Sequence, residues 1–77
     1  MIKLRVAQLA KLRGLNMNRV ALRSGIPIGT IRRYWYGTRD GRKDGDPILE
    51  VRMDFLEKLA NLLEIKDVGQ FFDYTED

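Results

Sequence analysis

Neither cysteine nor histidine occurs in the 77 residues. Without cysteine there is no disulfide and no thiolate metal site, which fits a reducing compartment. Without histidine the commonest general base and metal ligand are missing, and with them every His-dependent triad. Asp, Glu, Lys and Tyr remain for acid–base chemistry, and they form no recognisable catalytic cluster. The expectation is a protein that is not an enzyme and uses no cofactor and no metal. No apolar stretch approaches the length of a membrane span. Met1 to Val6 mixes charged and apolar residues, unlike the apolar run of a signal peptide. A soluble, cytoplasmic protein without a membrane partner is expected.

What the chain does have is charge, unevenly spread. The net charge is +3. Residues 1 to 52 carry twelve Lys or Arg against four Asp or Glu, a balance of +8, whereas residues 53 to 77 carry two against seven, a balance of −5. A basic surface is the electrostatic footprint of a polyanionic partner. Small proteins often carry a few surplus charges, but seldom so concentrated in one part of the chain. The length allows one domain, spanning residues 1 to 77, with a thin core. There is no internal repeat and no low-complexity tract.

Apolar spacing predicts helices throughout. Ile2, Val6, Leu9, Ala10 and Arg13 recur at helical intervals over residues 2 to 13, with Gly14 as the stop. Asn16 caps a second helix whose Val20 and Ala21 face inward and which ends near Ser24. Gly25 permits the positive φ of a sharp turn. Pro27, tolerated in a first helical turn, opens a third helix over residues 27 to 36 that ends at Gly37. Residues 37 to 50 hold three glycines, one proline and seven charged residues. That composition reads as a loop, long for so small a domain and therefore functional or mobile. Leu56, Leu59, Ala60 and Leu63 stripe an amphipathic helix over residues 53 to 64. Asp67 caps a final short helix over residues 67 to 73, whose Phe71 and Phe72 serve either the core or a dimer seam. The last three residues are expected to fray. Ile48 to Val51 suits a brief extended stretch, but no alternation is strong enough for a sheet.

The informative spacing is Val20-Ala21, Gly25, Ile26, Ile31, Tyr34. Two helices crossing steeply need a small residue where they touch, and Ala21 supplies it. Gly25 makes the turn and Ile26 plugs it into the core. Val20 and Ile31 pack across the crossing, and Tyr34 also faces inward. This is the steric logic of a helix-turn-helix over residues 16 to 37, in which the second helix of the pair enters the major groove of DNA.

The residues Gly14-Leu15-Asn16, Val20 through Ile26, and Thr30-Ile31-Arg32-Arg33 through Gly37 together resemble the Cro/phage-repressor-type (XRE family) helix-turn-helix proteins. Phe55 through Ala60 and Asn61 through Ile65 resemble that family's fourth helix and its exit. The resemblance implies an all-α fold, a small five-helix globule of the lambda-repressor-like kind. It also implies sequence-specific binding to double-stranded DNA and a role in transcription regulation, as a repressor or a small accessory regulator. Such a protein would be nucleoid-associated. The chain departs from the family at Met17, where glutamine is usual, at Pro27 in place of a small polar cap, and at Ile28 and Gly29 in place of polar residues.

In this register Arg32 and Arg33 are the leading candidates for base or phosphate contact, since an arginine fork bonds guanine bidentately. Ile28 suits a thymine methyl, and Gly29 suits close approach of backbone to DNA. Thr30 bonds a phosphate or fills a boundary position. Asn16, Asn18 and Arg19 lie where the second helix's N-terminus suits a phosphate; plain surface is the alternative for Arg19. Tyr34, Trp35 and Tyr36 point in different directions on a helix and make no stacking platform. Tyr34 is assigned to the core, Trp35 to packing against the first helix or the loop, and Tyr36 to a phosphate. In the loop, Arg39, Arg42 and Lys43 either reach the DNA backbone or are neutralised by the interleaved Asp40, Asp44 and Asp46. Those aspartates lack the alternation and terminal glutamate of an EF-hand. A homodimer suits symmetric half-sites. The rival reading is an antitoxin-like protein-interaction module that uses the same fold with a protein partner and no DNA readout.

Overall fold

Asn16 starts the second helix by lending its side chain to the backbone. It is extended, and its Oδ1 accepts the Arg19 N–H at 2.8 Å, satisfying a donor that the first turn leaves without a partner. Gly25 stops that helix in the left-handed conformation, φ 75°, and its N–H donates to the Ala21 carbonyl. Gly25, Ile26 and Pro27 make the turn, and the Pro27 carbonyl accepts from Thr30 and Ile31 and begins the next helix. These local devices produce the expected helix–turn–helix.

The computed structural model describes residues 1–76. In chain order they form strand β1 (Ile2–Leu4) and helices α1 (Val6–Leu12), α2 (Met17–Ser24), α3 (Ile28–Tyr36) and α4 (Met53–Leu63). A single 3-10 turn (Val68–Phe71) and strand β2 (Phe72–Tyr74) follow. Pro27 is thus the cap of α3 and not its first residue. The last residue of the tail expected to fray, Asp77, lies outside the described residues.

The five-helix, all-α expectation is overturned by the sheet. β1 pairs antiparallel with β2, in the register Ile2↔Tyr74, Lys3↔Asp73 and Leu4↔Phe72. Arg5 N–H to the Phe71 carbonyl (2.8 Å) and Thr75 N–H to the Met1 carbonyl (2.9 Å) extend the pairing at both ends. Residues 2 to 4 are therefore strand, and α1 begins only at Val6. Ile2 is 68% exposed and is no part of the core. Arg13, also placed on the inward face by its spacing, is exposed and paired with Glu64 at 2.6 Å. The expected last helix shrinks to the 3-10 turn, which Asp67 does cap by accepting from Gly69 N–H at 2.9 Å. The physical reason is tertiary: a short strand is stable only beside its partner, and each partner here comes from the opposite end of the chain.

The core lies where α1, α2, α3 and α4 converge. Val6, Val20, Ile31, Leu59, Leu63 and Phe71 are fully buried, and Ile26 plugs the turn as expected. Burying each such side chain contributes about 1.5–3 kcal/mol. Tyr34 is buried too, with its hydroxyl accepting the Arg52 N–H at 2.8 Å and its ring edge-on to Phe55. That bond ties the third helix to the start of the fourth. Phe71 belongs to the core, and Phe72, the first residue of β2, is half-buried and packs against it.

Residues 37–48 form an arm closed on itself by backbone hydrogen bonds. Thr38 and Pro47 form an antiparallel bridge, flanked by Ile48 N–H to the Gly37 carbonyl and Arg39 N–H to the Asp46 carbonyl. Inside the arm, Asp40 Oδ1 accepts from Arg42 N–H and the Arg42 carbonyl accepts from Gly45 N–H. The arm thus supplies its own backbone partners, as a hairpin does.

Candidate nucleic-acid interface

Helix α3 buries Ile31 and Tyr34, and its Trp35 packs half-buried against the core. Ile28, Arg32 and Tyr36 stand at intervals of one helical turn and form one ridge, with Gly29 and Arg33 beside it. Ile28, Gly29, Arg32 and Tyr36 are exposed, while Thr30 and Arg33 are half-buried. Asn16, Asn18 and Arg19 are exposed at the start of α2.

The structure separates the two adjacent arginines. Arg32 faces the arm, where its aliphatic stem covers Gly41. Arg33 faces the other way, into an open groove that it shares with Thr30, Tyr34, Val51, Arg52 and Phe55. Its Nε is buried without a hydrogen-bond partner, so packing and not bonding holds its stem. Arg32 is therefore the more accessible of the pair. Tyr36, one turn on from Arg32, lines a cleft between the arm and β1, with Leu4, Thr38 and Lys43.

The sequence-predicted residues do not all have their polar groups to spare. Asn16 spends its carbonyl oxygen on the cap of α2. Arg39 donates from Nε to the Pro47 carbonyl at 3.1 Å, which anchors it to its own arm. Gly29 has nothing within 4 Å of where a Cβ would stand, so no internal packing requires a glycine there.

Electrostatically the helix pair is one-signed. No carboxylate precedes Asp40 in the chain. Among the described residues the ion pairs are Arg13–Glu64 and Arg52–Asp54, so Arg19, Arg23, Arg32 and Arg33 belong to none. The arm's cations stand in none of these ion pairs either, although its three cations and three aspartates cancel in net charge. Arg52 is engaged twice, by Asp54 at 2.7 Å and by the Phe55 ring at 4.3 Å.

Two residues escaped the sequence reading. Arg23 is exposed one helical turn after Arg19 on α2, and that spacing was the available signal. Gly41 is buried under Arg32, and nothing in its charged, glycine-rich surroundings announces such a contact.

No protein-family model, no curated protein and no solved structure matches this chain. Among the described residues no helix is long and apolar enough to cross a membrane.

Proposed function

We propose that this chain is a sequence-specific double-stranded DNA-binding regulator of the Cro/phage-repressor type, acting as a repressor and reading the major groove with α3. The observation that carries the reading is a helix–turn–helix whose exposed arginines stand in no ion pair and which holds no acidic residue. Phosphates attract such a surface and release counterions on contact, which makes the affinity fall steeply with salt. In this reading the start of α2, with Asn18 and Arg19, rests on the backbone. Arg32 reads a base edge with its fork, and Ile28 meets a thymine methyl. Arg33 serves the flank of the site. Gly29 fits the reading because its only use is external: it lets backbone come close to DNA. The protein acts by binding and not by turnover, as a homodimer on symmetric half-sites.

Leu22, 84% exposed, and Ile28, 41% exposed, favour a second reading in which the pair docks on another protein. Fluorescence anisotropy of a labelled random duplex at low and moderate salt separates the two. The DNA reading expects binding that weakens steeply with salt, and that is weaker and less salt-dependent in an Arg32→Ala/Arg33→Ala double variant, which lacks two of the charges that meet phosphates. A folded wild type with no affinity at low salt sinks it in favour of the protein partner.

A further inference from the structure

The arm of residues 37–48 is closed by its own hydrogen bonds, yet it brings little charge to a polyanion. Arg39, Arg42 and Lys43 are balanced by Asp40, Asp44 and Asp46. An element with no net charge adds little long-range attraction. Its closest approach to α3 is mechanical. Gly41 is buried, with φ +79°, and the position of a Cβ there lies 3.1 Å from Arg32 Cγ and 3.3 Å from Arg32 Cδ. A Cβ at residue 41 would press on the stem of Arg32 and shift it by a few tenths of an ångström from where it lies on the arm. An arginine otherwise keeps several rotatable bonds, and ordering it on binding is costly. A stem already seated loses less, and its fork has fewer torsions left to fix.

We infer that Gly41 is a specificity-determining positioning residue: the arm seats Arg32, and that seat makes α3 selective among DNA sequences. The inference rests on the DNA-reading function proposed above. It assigns the arm to selectivity and leaves non-specific attraction to the arginines of the helix pair.

The test begins by selecting a preferred duplex from a random library with the wild-type protein. Affinity for that duplex and for a scrambled one is then measured across a salt series. Gly41→Ala is expected to lose about tenfold of the discrimination between the two duplexes, with the slope of log affinity against log salt unchanged. Placed on an Arg32→Ala background, the same change is expected to have no further effect on discrimination. Gly41→Asn repeats the experiment with a residue that tolerates positive φ but still carries a Cβ, which separates the contact from backbone strain. In the DNA-free protein, ¹⁵N relaxation at Arg32 Nε is expected to show greater mobility in both variants.

Full discrimination in folded Gly41→Ala and Gly41→Asn overturns the inference. So does an equal loss on the Arg32→Ala background, or an Arg32 Nε that is no more mobile than in wild type. Each of these leaves DNA binding standing. A wild type that selects no sequence brings down the DNA reading itself, and this inference with it.

Discussion

In the α2–α3 pair, the devices that shape the backbone lie inside the segment: Asn16 caps, Gly25 turns, and Val20 meets Ile31 a few residues on. In the β1–β2 clasp, every backbone partner is brought from the other end of the chain, and the strands' own side chains are largely exposed. The pair forms a presenting surface that can be rigid on local grounds. The clasp fastens the ends over a core that the helices have built, and Leu4 and Phe72 of its strands pack on that core beside the buried Phe71. Arginines that stand in no ion pair gather on the first region, and none of the clasp's residues is among the leading candidates for DNA contact.

The sharpest way to break this comparison is at Phe71. It is fully buried although it adjoins an exposed sheet. Phe71→Ala is expected to cost about 3–5 kcal/mol in urea unfolding, a large share of the stability of a small domain. A loss below about 1 kcal/mol would show that the clasp end is decoration. Gly25→Ala probes the other region. No atom lies within 4 Å of the new methyl, so the penalty is conformational alone, about 1–2 kcal/mol from the left-handed backbone. Asn16→Ala removes one cap and should cost about 1 kcal/mol, with DNA affinity following the loss of order at the start of α2. The smallest effect is the most discriminating. Gly29→Ala should raise stability by up to about 1 kcal/mol, since it exchanges a poor helix former for the best at an open position. In the same variant, duplex affinity measured by anisotropy should fall. A variant that is both more stable and equally tight would remove the external role given to Gly29.

The difference between the two regions also explains what the sequence made legible. A cap, a turn glycine and an apolar stripe act over one or two helical turns, so α2, α3 and α4 could be read from neighbouring residues, as could the buried places of Val20, Ile26, Ile31 and Tyr34. Ile2 had the spacing of an inward helix position relative to Val6 and Leu9. Only its pairing with Tyr74 shows it to be strand, and no local window contains both residues. Arg13 misled in the same way, because its partner Glu64 belongs to the end of α4. Within the candidate site, the outward register of Arg32 was legible. The divergence of Arg32 and Arg33 was not, since it depends on what the arm and the start of α4 place on either side. The arm's composition of aspartates, arginines and glycines describes a loop equally well. Its closure comes from the Thr38–Pro47 bridge and the bonds beside it.

The bond from Thr75 to Met1 bears on how the polymer is threaded. Because the two ends of the described chain lie side by side, the path is close to a closed ring. A ring has no privileged starting point. A short linker across the clasp would permit the chain to be opened elsewhere, and the exposed Lys43–Asp44 turn at the tip of the arm is the natural place. In such a permuted protein the helix–turn–helix would remain uninterrupted, while the seat beneath Arg32 would be held by two separate strands of chain.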